Sequence, residues 1–241
     1  MIFLFTDYGL QGPYIGQVET VLHQMVPNEK LILLMADAPR NNPKASAYLL
    51  SSLVSRIPEG SIVLSVVDPG VGSDEDKPVM LKIDGRWFVG ADNGLFDLVA
   101  RRAKEIEAYE VTWKPEILSN SFHGRDLYAP VCTMIANGYD VSSTAFEWKD
   151  IHKWPDDLNE IIYIDHFGNC MTGIRAESLD KQLVLRIDHQ DIVNADTFSD
   201  VKEGKALWYE NSNGLIEIAV NQGTAEETLQ LKIGSHILLS T

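Results

Sequence analysis

The sequence predicts an α/β protein: a mainly parallel sheet with helices on both faces in the N-terminal part, then an antiparallel β-barrel or sandwich in the C-terminal part. Over residues 1–150, strand-length apolar runs alternate with amphipathic helical patterns, which is typical of a parallel sheet covered on both faces. Over residues 151–241, short apolar runs are separated by turn signals without a strong helical pattern. Residues 147–159, with two tryptophans and several acids, form the expected linker between these two domains.

In the N-terminal domain, each predicted strand ends at a turn signal. The first run is followed by Asp-Tyr-Gly, the third by Asp-Pro-Gly, and Asp84-Gly85 is a hairpin signature between the fourth and fifth. The predicted strands are 2–6, 31–35, 61–67, 79–83 and 87–89. The predicted helices are the segment with Val18, Val21, Leu22 and Met25, and residues 45–57, 95–103 and 127–137.

In the C-terminal domain, the apolar runs are four to six residues long, which suits the strands of a small barrel. The predicted strands are 161–164, 171–174, 183–187, 206–209, 215–220 and 229–233.

Composition and charge exclude several classes of function. The chain carries 20 Lys and Arg against 35 Asp and Glu, a formal net charge of −15. Because nucleic-acid binding requires clustered basic side chains that neutralise phosphates, this balance argues against a nucleic-acid partner. No apolar run approaches the ~20 residues that span a bilayer, and no basic amphipathic helix suits a membrane surface.

The termini and the cysteines give no sign of secretion. The N-terminal apolar run lacks a basic start and is interrupted by Asp7, unlike a signal peptide. Cys132 and Cys170 are far apart and belong to no CxxC pair, so they predict neither a disulfide framework nor a metal site. We therefore expect a cytoplasmic protein.

Polar residues collect where the predicted parallel strands end. Asp7 follows the first strand, Asp68 follows the third, and Asp92-Asn93-Gly94 follows the hairpin. Each alone is as well explained as a turn former or helix cap. Because ligands bind at the carboxyl ends of strands in open α/β sheets, the group together favours a pocket at this edge.

Six motifs follow one another along the chain: FTDYG (5–9) with GPYIG (12–16), VVDPGVG (66–72), ADNGL (91–95), SFHGRD (121–126), IDHFGN (164–169), and NSNG (211–214) with AVNQG (219–223). In this order, they resemble the SAM hydroxide adenosyltransferase (SAM hydrolase) family, where SAM is S-adenosylmethionine; the family is related to the SAM-dependent fluorinases and chlorinases. The resemblance covers essentially the whole chain, and the set in register is far more specific than any single motif.

The resemblance implies a homotrimer in which SAM lies between the N-terminal domain of one subunit and the C-terminal barrel of its neighbour. It implies displacement at the ribose C5′ carbon, with methionine leaving as a neutral thioether, so that SAM is the substrate and no metal or second cofactor takes part. The sulfonium already supplies the driving force, and the protein has to align a nucleophile opposite the C–S bond.

The resemblance also assigns substrate-binding residues, and their chemistry fits. Asp7 would accept hydrogen bonds from both ribose hydroxyls, since two carboxylate oxygens suit a vicinal diol. Asp165 would meet the methionine ammonium, Ser212 the methionine carboxylate, and Asn169 the adenine edge, for which an amide offers a donor and an acceptor. Phe167 would be an apolar wall for the base, and a place in the barrel core explains it equally well.

Three further residues belong to the assigned binding set because they lie in the last motif pair. Asn213 stands where some relatives carry an arginine, which would weaken the grip on the methionine carboxylate. Asn221 and Gln222 lie in the AVNQG segment.

Two features favour water over halide as the nucleophile. At two positions, the related halogenases carry residues with a hydroxyl group. Here these positions are Val71, which is aliphatic, and Gly124, which has no side chain. Halogenases also carry a long insertion that this chain lacks, since a short hairpin alone joins Gly72 to Ala91. A halogenase is therefore the less favoured alternative.

Family hydrolases carry an Asp-Arg-His set that activates the water, and two of its members are present. Asp68 and His123 match the first and last, and a histidine can take a proton near neutral pH while a carboxylate orients it. The arginine position is Glu75, an anion where a cation is expected. Lys77 is the candidate substitute cation, whereas Arg125 is expected to form a structural ion pair. A protein that binds SAM or adenosine without cleaving it stays an alternative.

Overall fold

The structure is a computed structural model that describes residues 1–73, 77–187 and 190–240. The chain divides into two compact units, residues 1–153 and 154–241. Each unit is built around a seven-stranded sheet. Within the described ranges, no helix is both long enough and apolar enough to cross a membrane.

The N-terminal unit alternates strands and helices in its first half and is richer in strands after residue 60. Its strands are β1 (Ile2–Thr6), β2 (Leu31–Met35), β3 (Ile62–Val66), β4 (Pro78–Ile83), β5 (Arg86–Ala91), β6 (Ile106–Val111) and β7 (Ser143–Phe146). Its α-helices are α1 (Tyr14–Met25), α2 (Pro43–Leu53), α3 (Asp97–Arg101) and α4 (Ala129–Ala136).

The N-terminal sheet is mixed. Its order is β2-β1-β3-β5-β4-β6-β7, and the pairs β2–β1, β1–β3 and β3–β5 are parallel. The pairs β5–β4, β4–β6 and β6–β7 are antiparallel. The prediction of a mainly parallel sheet is therefore right for one half and wrong for the other, where the hairpin turns the chain back and β4 separates two strands of the same direction.

Local sequence explains the elements that form the parallel half. β1 is buried at all five positions, as expected for a strand between two covering layers. Its residues Ile2 and Leu4 join one apolar cluster with Val18 and Leu22 of α1 and with α4, which packs on α1. The helix α2 begins at Pro43, and Asn42 caps it by accepting a hydrogen bond from the Ala45 N–H at 3.0 Å.

The predicted hairpin at Asp84-Gly85 is confirmed, with both residues at positive φ, as a two-residue turn of the I′ type requires. Two strands were not predicted, β6 and β7. β6 has the pattern IEAYEV, in which acids interrupt the apolar residues, and the half-exposed β7 has only four residues. The predicted helices 95–103 and 127–137 exist but are shorter, and a π-helical turn over Gly124–Tyr128 precedes α4.

The C-terminal unit is almost entirely β-structure. Its strands are β8 (Leu158–Ile164), β9 (Cys170–Arg175), β10 (Val184–Ile187), β11 (Gln190–Asn194), β12 (Ala206–Glu210), β13 (Leu215–Val220) and β14 (Leu238–Ser240), and a short α-helix, α5 (Ala225–Thr228), follows β13. The sheet order is β14-β10-β11-β12-β13-β9-β8, antiparallel except for the pair β11–β12.

This second sheet curls into a nearly closed barrel, as predicted. The segment just before β14 hydrogen-bonds to β8, the strand at the other end of the sheet order. The Ile161 N–H donates to the Ser235 carbonyl, and the Ile237 N–H donates to the Asn159 carbonyl, both at 2.9 Å. One stretch of chain thus joins both edges, which leaves few open strand edges in the described part of this unit.

The predicted strand 229–233 is wrong. Leu229 and Leu231 are both buried in the barrel core, which produces the alternation that resembles a strand. The intervening Gln230 has φ +52°, a left-handed conformation that interrupts extended backbone, and α5 ends just before it. β11 and β14 were not predicted, since each is short and largely polar or exposed.

A buried carboxylate organises one end of the barrel. Glu217 of β13 is only 4% exposed, and it accepts hydrogen bonds from the Tyr209 hydroxyl and from the Asn211 amide, the latter at 2.9 Å. Asn211 in turn accepts from the Asn213 N–H at 2.9 Å and the Leu215 N–H at 3.1 Å. The turn over residues 211–214 is therefore fixed to the barrel wall through one acid. Burial and this acid raise the pKa of Tyr209, which stays a donor.

We predict that Glu217→Ala lowers the free energy of unfolding by about 2–4 kcal/mol, because the Asn211 amide and the Tyr209 hydroxyl lose a charged acceptor in a buried place. Urea denaturation measures it. Glu210→Ala, on an exposed position of β12, is the control and should change stability by no more than about 0.5 kcal/mol. Equal effects of the two substitutions would show that the network contributes nothing.

Candidate active site

A cavity of about 240 Å³ opens in the N-terminal unit at the carboxyl ends of β1 and β3. It brings together three of the predicted site residues, Asp7, Asp68 and His123, with both positions of the predicted nucleophile pocket, Val71 and Gly124. The other residues that line it are Tyr8, Tyr14, Arg40, Asn41, Val66, Ser121 and Phe122.

Strand pairing places the two acids side by side. Thr6 of β1 pairs with Val66 of β3, and the Asp7 N–H donates to the Val66 carbonyl at 3.4 Å. Asp7 follows Thr6 directly and Asp68 comes two residues after Val66, so that both emerge at the same edge of the sheet. The Asp68 carboxylate accepts the Gly70 N–H at 3.1 Å, which fixes the start of its turn.

A close backbone contact brings the His123 loop to this edge. Gly72 ends the turn after β3 with φ +76°, and a Cβ atom there would lie 2.2 Å from the carbonyl oxygen of Asn120. Only glycine lets the two segments approach this closely. Three residues beyond Asn120, His123 lies buried in the cavity wall and packs edge-on against Tyr128, with ring centroids 6.5 Å apart.

The Asp7 carboxyl is partly buried, and neighbouring groups offset part of the effect of burial on its pKa. Burial raises the pKa of its carboxyl, and the Asn41 N–H, which donates at 2.9 Å, and the Arg40 guanidinium oppose that rise. Arg40 and Asn41 follow β2, whose carboxyl end lies beside that of β1. Neither residue was predicted, although their place after a parallel strand is the signal that could have found them.

Arg125 forms the structural ion pair that the sequence favoured. Its guanidinium donates to both Asp126 oxygens, at 2.8 Å to Oδ2, and to the Gln17 side-chain oxygen at 2.8 Å. It also lies over the Phe122 ring, 5.1 Å from the centroid. This ion pair keeps the pKa of Asp126 below its ordinary value. Arg125 thereby ties the start of α4 to α1.

Three aromatic rings form one wall of the cavity, and none of them was among the predicted site residues. Tyr8 and Tyr14 both pack on Phe122, with centroid distances of 5.6 Å and 5.3 Å and nearly perpendicular planes. Tyr8 and Tyr14 are 6.0 Å apart. All three rings lie within motifs that the sequence analysis quoted, which is the signal that was available.

Of the two residues discussed for the missing arginine, the structure describes only Lys77. Glu75 lies outside the described residues. Lys77 is exposed at the entry to β4, where its carbonyl accepts the Asp92 N–H at 2.9 Å. Burial raises the pKa of Asp92, and the Lys77 ammonium opposes the rise. Lys77 therefore lies beside Asp92 and is not among the described residues that line the cavity.

In the C-terminal unit, one loop holds three predicted binding residues. Between β8 and β9, Asp165 accepts hydrogen bonds from the Phe167 N–H at 2.8 Å, the Asn169 N–H at 2.9 Å and the Asn169 side-chain amide at 3.1 Å. Asn169 is buried with its amide orientation set by this contact. Phe167 is 73% exposed, so its alternative place in the barrel core is wrong.

The other predicted binding residues lie in two separate turns. Ser212 and Asn213 lie in the turn before β13, whereas Asn221 and Gln222 follow β13. Because β9 and β13 are antiparallel, the 165–169 loop lies at the end of this strand pair near Asn221, and Ser212 lies at the opposite end. The Asn221 amide donates to the Val201 carbonyl at 2.8 Å.

No cluster of three or more His, Cys, Asp or Glu side chains suited to a metal ion occurs in the described ranges. The polar side chains that line the cavity carry carboxylates, hydroxyls, an imidazole, an amide and a guanidinium. They match an organic ligand with hydroxyl groups and a step that moves a proton.

Comparison with known proteins places the chain in a family. Residues 2–145 match the family model of the SAM hydroxide adenosyltransferase N-terminal domain, and residues 159–238 match that of the C-terminal domain. The chain belongs to the SAM hydroxide adenosyltransferase family.

Similarity to individual proteins extends over nearly the whole chain. A Thermus thermophilus protein named (R)-S-adenosyl-L-methionine hydrolase is 33% identical over 99% of this chain and 98% of its own. A fluorinase of Nocardia brasiliensis is 23% identical over 97% and 94%. A crystal structure of an uncharacterized conserved protein from Thermotoga maritima superimposes with a TM-score of 0.89, 27% identity and full coverage of both chains.

We predict that Gly72→Ala destabilises the protein by about 1–3 kcal/mol more than Gly60→Ala, because the new methyl group collides with the Asn120 carbonyl. Gly60 is a matched control, with φ +75° and no atom within 4 Å of the place that a methyl group would take, so it reports backbone strain alone. Urea unfolding of both variants measures the difference. Equal losses would mean that this contact does not hold the cavity together.

Proposed function

We propose that this protein hydrolyses S-adenosylmethionine to adenosine and L-methionine, with water attacking the ribose C5′ carbon. The observation that carries the proposal is the placement of Asp7, Asp68 and His123 around one cavity in a chain of this family. The relative named (R)-S-adenosyl-L-methionine hydrolase, similar over its full length, supports the same substrate.

In the proposed step, the water oxygen forms a bond to C5′ while the C5′–S bond breaks. The electron pair of that bond goes to sulfur, which leaves as the neutral thioether of methionine. His123 takes the proton that water loses, and Asp68 orients the imidazole and stabilises its cation. The reaction as written consumes only SAM and water.

The binding residues are proposed on their chemistry. Asp7 accepts hydrogen bonds from the two ribose hydroxyls, and the Asn41 N–H and Arg40 oppose the rise in its pKa that burial causes. We assign Asp165 to the methionine ammonium, Asn169 to the adenine edge, and the exposed Phe167 ring to a face of the base. The resemblance, and not their placement, assigns Ser212 and Asn213 to the methionine carboxylate, since their turn lies at the other end of the β9–β13 pair from Asp165. Asn221 and Gln222 complete the set.

The proposal includes a homotrimer of two-domain subunits, divided near residue 150. Its sites lie between the N-terminal domain of one subunit and the C-terminal domain of the next. The 73% exposure of Phe167 fits such an arrangement, because a large exposed ring at a binding loop is explained by a surface that covers it in the assembly.

A second candidate is a protein that binds SAM or adenosine without cleaving it. The observation that favours it is Glu75, an anion at the position where family hydrolases carry an arginine. A halogenase is less well supported, since Val71 and Gly124 present no hydroxyl from their own side chains to the cavity.

We predict equimolar adenosine and methionine when the protein is incubated with SAM in ¹⁸O-labelled water, with the label in the adenosine 5′-hydroxyl. Chromatography and mass spectrometry measure the products, and the (R) and (S) sulfonium forms are supplied separately. An added chloride arm tests for 5′-chloro-adenosine. Unlabelled adenosine would exclude direct attack by water, and bound but uncleaved SAM would establish the non-catalytic candidate.

We predict that His123→Ala lowers kcat about a hundredfold or more and changes KM for SAM less than threefold, because only the proton acceptor of the transition state is lost. Steady-state kinetics measure both constants. His23→Ala, on the exposed side of α1, is the control and should leave both unchanged. A large rise in KM with kcat preserved would assign His123 to binding.

A further inference from the structure

The hydroxyl group of Tyr8 occupies the place where a side chain of Gly124 would begin. A Cβ atom built on Gly124 would lie 1.9 Å from the Tyr8 hydroxyl oxygen and 3.0 Å from the ring carbon that carries it. Gly124 follows His123, and both residues line the cavity. The lack of a side chain at 124 therefore leaves room for a hydroxyl that comes from another part of the chain.

Packing holds this hydroxyl in place. The Tyr8 ring lies edge-on against Phe122 and tilted against Tyr14, so that the ring is fixed on two sides. Its backbone is fixed as well, because Tyr8 directly follows Asp7 at the end of β1. A phenylalanine could make the same ring contacts, so packing alone does not explain the hydroxyl.

The electrostatic surroundings keep the hydroxyl protonated. Burial is the largest influence that raises the pKa of Tyr8, and the negative charges of Asp7 and Asp68 raise it further. The group is thus neither an anion nor a general base at any physiological pH. It is a neutral hydroxyl that donates one hydrogen bond and accepts others beside the two acids.

We propose that the Tyr8 hydroxyl is a water-positioning group, which hydrogen-bonds the attacking water and holds it in the cavity with Asp68 and His123. The inference rests on the proposed hydrolysis and adds a residue to it. Tyr8 keeps its own proton throughout: the water oxygen bonds to C5′, its proton goes to His123, and the C5′–S electron pair goes to sulfur. Tyr8 contributes alignment, which a static hydrogen bond supplies.

Tyr8→Phe tests this proposal because it removes one oxygen atom and keeps the ring. We expect kcat for adenosine formation to fall by about tenfold to a hundredfold, at or below the lower end of the range for loss of one preorganised hydrogen-bond donor. The KM for SAM should stay within about twofold and the melting temperature should be unchanged. A merely structural role would not lower kcat while leaving KM and the melting temperature as they are. Tyr139→Phe removes a matched hydroxyl from an exposed position of the same unit and should change nothing.

The outcomes separate this inference from the function on which it rests. If the parent chain releases adenosine from SAM and Tyr8→Phe keeps its kcat within twofold, the role of Tyr8 is overturned and the hydrolase function stands. A fall in melting temperature that accounts for the lost activity, or a rise in KM at constant kcat, overturns it likewise. A parent chain that makes no adenosine overturns both.

Discussion

The parallel pairing of β1 with β3 is the constraint on which the site depends. It sets Thr6 opposite Val66, so the chain continues from both strands at one edge of the sheet, with Asp7 and Asp68 as neighbours. β2 adds Arg40 and Asn41 at the same edge. The loop that carries His123 is then brought there by the Gly72 contact. Three stretches of chain, far apart in sequence, meet because parallel strands share an end, and the backbone contact at Gly72 adds the fourth.

The fold was predictable where a strand is buried on both faces or bounded by a strong turn. β1, β3 and the hairpin at Asp84-Gly85 meet that condition, whereas β2 was predicted from its apolar run although the strand is only partly buried. β6 was not found, because its exposed positions carry acids, and the strand direction after the hairpin depends on pairing between distant segments, which no local pattern encodes. The segment 229–233 was wrongly predicted as a strand because two alternate leucines are buried, as they would be in a strand. The left-handed conformation of Gln230 interrupts extended backbone there.

The motif residues of the candidate site were predictable, but the other side chains that line the cavity were less so. Asp7, Asp68 and His123 were expected together and line one cavity. Tyr8 was missed because an aromatic residue beside an acid is readily explained as a packing residue. The place of its hydroxyl also depends on the absence of a side chain at position 124, which is distant in sequence. In the barrel, the sequence suggested which residues bind the substrate, and the structure adds which contacts hold those residues in place. Asp165 fixes its own loop, and Glu217 anchors the turn that carries Ser212.

The contact between Tyr8 and Gly124 also limits how this cavity can change over evolutionary time. Any side chain acquired at 124 collides with the tyrosine oxygen, so that substitution is harmful while Tyr8 is present. Replacement of Tyr8 by a smaller residue has to come first, and only then does position 124 become open to serine or alanine. The two sites are therefore epistatic. Descendants of this sequence can gain a side chain at position 124 if Tyr8 is replaced first, and not in the reverse order.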